Sequence, residues 1–367
     1  MKKSVLMLSF ATLFVASCSS DDSNGGGTQN PPISEAIVEV ELGGPNQPNQ
    51  VYIDLSTSSQ TTAKRDTWDL GFATGSQFRV IINGSVQMAV KQLETTDIDQ
   101  VQEPDTSVAV GYSTLASLGY VDDPTGILEG AGGGEGTAIA EILANEEDNK
   151  VYLVNLGNHV GTNTPDVGSV SLHGEARGWK KIRITRNASG YTLQYADIES
   201  TTHQTVNISK DSNFNFTFFS FDTNSVVGVQ PQKDKWDLNF SGFTNYYAMQ
   251  GNPAITYYYA DFVTTNHHGG TKAYTVLLDG ENLNEAYADF TADDVIEANF
   301  TTSATDQRII GDSWRIGGNP SNPVPSVKDD RFYVIKDASG NVYKLVFRAL
   351  TNDAGERGFP VFEYELL

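Results

Sequence analysis

The sequence predicts an all-β protein built as two tandem β units with short helical insertions, and three observations predict it. Aromatic residues are plentiful, with 18 Phe, 16 Tyr and 4 Trp, while Thr and Val are common and long helix-period stretches are missing, a mix that favours strands. Several short runs alternate apolar and polar residues with a period of two. One long segment recurs.

Phe214, Phe216 and Phe218 alternate with Asn215 and Thr217, the pattern of a strand buried on one face. Tyr343, Leu345 and Phe347 alternate with Lys344 and, less cleanly, Val346. Asp337-Ala338-Ser339-Gly340 lies between Ile335 and Val342 and has turn chemistry, which predicts a hairpin. Asn187-Ala188-Ser189-Gly190 plays the same part earlier in the chain.

The repeat sets the domain organisation. Residues 51–72 align without a gap over 219–240, with six identities: Asp54/Asp222, Asp66/Asp234, Trp68/Trp236, Asp69/Asp237, Leu70/Leu238 and Phe72/Phe240. The match resumes where Val151-Tyr152-Leu153-Val154 parallels Phe332-Tyr333-Val334-Ile335. Units at 36–202 and 203–367 follow. Trp68 and Trp236 are expected to pack in a core, with the adjacent Asp on the other face bonding turn amides. Helices are expected at 137–144 and at 292–298, the second with Thr291 as N-cap and Asp294 as its partner.

The N-terminus reads as an export signal. Lys2 and Lys3 precede an apolar run from Val5 to Ala16, too short for a membrane span of ~20 residues and right for a secretory core. Val15-Ala16-Ser17-Cys18 closes it, so residues 1–17 form the signal peptide and Cys18 is the expected lipidation site. Cys18 is the sole cysteine, so no internal disulfide forms. Residues 18–35, rich in Ser, Gly, Asn and Pro, are expected to be a tether carrying the lipid anchor. Asp21-Asp22 resembles the acidic export signals of Bacteroidetes-type surface lipoproteins.

The formal charge is −22, or −24 once Lys2 and Lys3 leave with the signal. Such a surface repels phosphate backbones and speaks against nucleic-acid binding. The motifs G-x-S-x-G, H-E-x-x-H and the P-loop are missing, so an enzyme is not expected.

Asp234-Lys235-Trp236-Asp237-Leu238-Asn239-Phe240, followed by the closing hairpin at 333–345, resembles the HmuY family. The second unit carries the resemblance best and the first is a divergent copy. The resemblance implies an all-β surface lipoprotein that binds haem between two axial ligands and passes it to a TonB-dependent outer-membrane receptor. Founding members use two His, and some relatives Met, in loops downstream of the Trp-Asp strand. No His follows His268 and no Met follows Met249, so those positions do not carry over. Haem is thus implied by the resemblance alone.

From the residues, the candidate haem ligands are Met249, His267, His268, His159 and His173. Imidazole nitrogen and thioether sulfur are the donors an axial site needs. His267 and His268 are adjacent on a chain expected to be extended, so they point apart and only one could serve one iron. Met249 lies near Tyr246, Tyr247, Tyr257, Tyr258 and Tyr259. His203 is expected in the linker between units. The expected function is haem capture at the outer membrane, and the alternative is a non-catalytic module for a glycan, peptide or partner protein.

Overall fold

Alternating runs of Val, Ile, Phe, Tyr and Thr dominate the sequence, and strands dominate the chain. The computed structural model describes residues 31–111, 115–130, 135–247, 255–318 and 324–367. In the first half lie β1 (Glu35–Glu39), β2 (Asn49–Asp54), β3 (Ser59–Lys64), β4 (Leu70–Ala73), β5 (Val80–Ile82), β6 (Ala89–Gln92), β7 (Val151–Asn155), β8 (Asn158–Val160), β9 (His173–Ala176), β10 (Trp179–Asn187) and β11 (Gly190–Asp197). In the second lie β12 (Gln204–Ser209), β13 (Phe216–Ser220), β14 (Ser225–Val227), β15 (Leu238–Tyr247), β16 (Ile255–Thr265), β17 (Lys272–Leu277), β18 (Arg315–Ile316), β19 (Ser326–Val327), β20 (Arg331–Lys336), β21 (Val342–Thr351) and β22 (Arg357–Leu366). The single α-helix among the described residues is α1 (Leu283–Asp289). The all-β expectation holds, and both expected hairpins form, as β10–β11 and β20–β21.

The sheets are exchanged between the two units. One five-stranded sheet runs β12-β11-β10-β7-β6 and the other runs β1-β22-β21-β20-β17. One four-stranded sheet runs β14-β13-β4-β5 and the other β3-β2-β15-β16. The three opening strands of each sequence unit therefore complete the sheets of the other. β1 closes on β22 and β2 pairs with β15, while β12 closes on β11 and β13 pairs with β4. The result is two bodies within the compact unit spanning Pro32–Leu367. The first body is continuous, from β4 to β14. The second joins β1–β3 to β15–β22.

Each body is a sandwich of one four- and one five-stranded sheet. In the first, Leu70, Phe72, Val80 and Phe219 meet Val154, Ile182, Tyr191 and Leu193. In the second, Val51, Ile53, Leu238, Phe240 and Val263 meet Tyr333, Ile335, Leu345, Phe362 and Tyr364. At ~1.5–3 kcal/mol per large side chain, burial of this kind supplies most of the driving force.

The motif that marks the repeat forms the seam. Asp69 accepts the amide of Phe221 at 2.6 Å, and Asp237 accepts the amide of Leu55 at 2.9 Å. Each aspartate thus binds the hairpin donated by the other unit, as expected of a carboxylate on the face opposite the Trp. The side-chain amide nitrogen of Asn83 donates to the carbonyls of Arg65 and Trp68, and that of Asn266 to those of Lys233 and Trp236. These two asparagines follow β5 and β16 and fix the same turn twice.

Pairing corrects the gapless alignment. Leu70 faces Phe219 and Leu238 faces Ile53, so Ile53 is equivalent to Phe219 and not to Phe221, its partner in the gapless alignment. Asp54 then corresponds to Ser220 rather than Asp222. The second unit has two extra residues between its hairpin and its Trp, and strand pairing, not identity, sets the register.

The helix expected at 137–144 is extended instead. Ala138 donates its amide to Asp122 at 2.8 Å, Ala140 to the Tyr152 hydroxyl at 2.9 Å and Ile142 to the Phe78 carbonyl at 2.9 Å. With those amides engaged and Ile139 and Ile142 in the first core, helical bonding has nothing left to gain. At 292–294 a short 3₁₀ turn forms in place of the longer helix, with the Asp294 carboxylate accepting the Thr291 amide at 2.8 Å. α1, which sequence pattern did not predict, helps cover the outer face of the second five-stranded sheet. Tyr287 packs there with Phe332, Val334 and Val346. Lys344 is consequently buried, and its ammonium donates to the carbonyls of Tyr287 and Phe290, each at 3.0 Å. Lys181 occupies the equivalent place in the first body and reaches the carbonyls of Val101 and Ser200.

Candidate functional site

Each four-stranded sheet has a second face, and the two second faces meet. Tyr52, Trp68, Phe216, Phe218 and Trp236 cluster there. Trp68 packs edge-on against Phe218 at 4.8 Å, and Trp236 against Tyr52 at 5.0 Å. Each indole therefore rests on the hairpin of the other unit, as core packing of the Trp-Asp-Leu strands anticipates. The same residues also wall a cavity of about 160 Å³.

The two walls are equivalent in backbone and opposite in chemistry. The first body presents Gly71, Ala73, Ile81, Phe216 and Phe218. The strand registers place Asn239, Ser241, Thr264, Gln50 and Tyr52 at the matching positions of the second. Away from the cavity the matched pairs stay apolar, as in Leu70/Leu238, Phe72/Phe240 and Val80/Val263. Four of the second-body residues, Gln50, Tyr52, Asn239 and Ser241, border the cavity along with Thr264.

Several polar atoms on this wall lack partners among the described residues. They are Nε2 of Gln50, Oδ1 of Asn239 and Oγ of Ser241, together with the indole nitrogens of Trp68 and Trp236. A buried polar atom without a partner costs about 1–3 kcal/mol. Among the lining residues the charged side chains of the acid and base types are Asp122 and Asp123, with no Lys or Arg. Asp122 accepts the amides of Ile82 and Ala138, each at 2.8 Å. Burial nevertheless pushes its carboxyl up to about 7.

His267 and His268 also line this cavity. They do not point apart: the chain turns directly after Asn266, and their rings lie side by side, 3.9 Å between centroids and tilted by 38°. This corrects the extended-chain expectation. Ring overlap leaves no room for an iron clamped between them. Gly126 holds a backbone φ of +86°, and a Cβ there would overlap the His267 ring. Desolvation lowers the pKa of both imidazoles, that of His268 to about 3 with the His267 charge adding to it. Both are therefore neutral at physiological pH and able to donate a lone pair.

The other candidates are scattered. His159 is largely exposed, 3.9 Å from Asp66. His173 lies on β9 with its ring edge-on to Tyr258 at 4.6 Å, and desolvation and then the Arg65 charge push its pKa down to about 4. His203 immediately precedes β12 and bonds Asp99 at 3.0 Å. Met249 and Cys18 lie outside the described residues. Met88, which the sequence did not single out, is fully buried and lines the cavity. Gln50, Asn239 and Ser241 were missed as well. Comparing the two units position by position would have flagged them, but only in the corrected register.

No group of three or more His, Cys, Asp or Glu side chains among the described residues could hold a metal ion. No described helix is long and apolar enough to cross a membrane.

Fold and cavity together define a class: a two-bodied β-sandwich protein with a cavity at its seam. The chain belongs to the HmuY protein family, whose model matches it twice, over residues 46–211 and 212–364. An apo HmuY analogue from Tannerella forsythia is a similar solved structure, at 10% identity with a TM-score of 0.24, over 92% of this chain and 98% of that one. No curated protein matches the sequence.

Proposed function

We propose that the protein is a non-catalytic ligand-capture protein, held at the outer membrane through Cys18, that passes its ligand to a TonB-dependent uptake receptor. Family membership over both tandem units is the observation that carries this reading, and haem is the ligand the family implies. The acidic body gives no second route to a membrane, so a lipid on Cys18 would be the anchor.

The cavity itself does not fit a porphyrin. Its 160 Å³ falls below the ~300–1,000 Å³ of ordinary ligand pockets, and the stacked imidazoles cannot stand on opposite faces of one iron. His267 or His268 could offer one neutral nitrogen. Haemin titration tests the reading: a Soret band saturating at a fixed ratio, and weakened about tenfold (~1.4 kcal/mol) by His267→Ala or His268→Ala, supports haem capture. No band with either oxidation state of iron overturns it.

A second reading is a surface module for a glycan, peptide or partner protein. The small two-faced cavity favours it, as do the half-exposed rings of Tyr247 and Tyr257 where β15 and β16 project.

A further inference from the structure

The two walls diverged in one direction. At five matched positions the first body carries apolar side chains or none, and the second carries side chains that can hydrogen-bond. A seam that served only to glue the bodies together would be apolar on both sides, as both cores are. Instead, Gln50, Asn239 and Ser241 line the cavity, and each has a buried side-chain atom with an unmet hydrogen bond. Such groups are rare in folded proteins, and each calls for a partner.

We propose that the seam cavity binds a small, uncharged, single-ring heterocycle that carries an amide on its edge, of the pyrimidine or nicotinamide class. Size sets the ring count: about 160 Å³ is close to the ~150 Å³ that accepts one benzene. Charge rules out an anion, because the wall holds Asp122 and Asp123 and no Lys or Arg, and the apolar opposite wall of Ile81, Phe216 and Phe218 disfavours burying any charge. Shape and chemistry set the orientation. The Phe216, Phe218 and Ile81 side takes an apolar ring face. The opposite side offers the Gln50 amide nitrogen as donor, the Asn239 oxygen as acceptor and the Ser241 hydroxyl as either, the complement of an amide edge. This inference goes beyond haem capture and does not depend on it.

The test is calorimetric titration of the full chain with uracil, nicotinamide, toluene and D-xylose, alongside Trp fluorescence. Saturable one-to-one binding of uracil or nicotinamide is expected, with toluene at least about tenfold weaker. Asn239→Leu keeps the volume and removes the acceptor, and should cut heterocycle affinity about tenfold or more while sparing toluene. Circular dichroism checks that the variant folds, and Ser241→Ala gives a milder second variant with the same expected direction. Binding of toluene as tightly as the heterocycles overturns the proposal, as does binding of D-xylose alone. No binding of any probe also overturns it, and leaves ordered water as the partner of the wall. The haemin experiment stands apart, because Asn239→Leu leaves both imidazoles in place, so either reading can fail without the other.

Discussion

The two bodies share one scaffold and differ in how they use it. Asp69 and Asp237 occupy the same place in the Trp-Asp-Leu strand, and each caps the hairpin lent by the other unit. Asp69 also meets a buried guanidinium, Arg177, at 2.8 Å. Asp237 has the Thr271 hydroxyl there instead, at 2.9 Å. The cavity walls repeat the contrast, with one side apolar and the other polar. Duplication thus fixed the backbone while the positions facing the seam were free to diverge, because they do not belong to either sandwich core.

The largest expected effect concerns the exchange itself. A fragment of residues 66–228 holds β4–β14 and the whole first core, including Phe219 and Phe221, and should fold on its own. A fragment of residues 36–202, cut at the sequence repeat, lacks those two residues and leaves Val51 and Ile53 without their core. It should show no cooperative thermal unfolding by circular dichroism. Cooperative melting of 36–202 would break the comparison.

A smaller effect separates the two aspartates. Asp69→Asn takes the nearer carboxylate from the Arg177 guanidinium, whose side chain is 1% exposed, leaving it the exposed Asp222 carboxylate at 3.4 Å and the Leu156 carbonyl at 3.3 Å, and should cost about 2–3 kcal/mol in urea denaturation. Asp237→Asn disturbs only neutral partners and should cost about 1 kcal/mol at neutral pH. Equal losses would show that the arginine is not what distinguishes the two sites.

A third effect is on pH. Burial raises the Asp237 carboxyl from 3.8 to about 7. Between those values the folded protein holds a proton that the unfolded chain has released. Its stabilising contribution is complete below about pH 4 and is lost as the pH rises through about 7. The stability difference between wild type and Asp237→Asn should therefore shrink by on the order of 1 kcal/mol per pH unit across that window. Urea denaturation at about pH 4.5 and about pH 7 measures it, and a flat difference refutes it.

Much of the fold could be read from the residues. Period-two alternation located the strands, Asp337 to Gly340 and Asn187 to Gly190 marked two hairpins, and the Trp-Asp-Leu segments disclosed the duplication. The helix expected at 137–144 gave way to tertiary bonding, while 292–298 kept its Thr291–Asp294 cap and formed 3₁₀ turns instead. Around Ala138 and Ile142 the amides find tertiary acceptors and the isoleucines a core, which outweighs local propensity. The site was less legible. The His267-His268 pair was visible, but the turn that stacks the two rings depends on Asn266 donating to the Trp236 carbonyl, 30 residues away.

By itself, the sequence determined the class, the repeat and the family, because strand periodicity and a doubled motif are local properties of the chain. Only the tertiary structure decided which unit each hairpin completes, since equivalent hairpins offer equivalent backbone bonds and sequence cannot tell a unit's own strand from its neighbour's. It also decided the register, through the pairing of Leu70 with Phe219 and Leu238 with Ile53. With that register the cavity acquired its two faces, because a residue's side of a sheet is set by its partner strand and not by its neighbours in the chain.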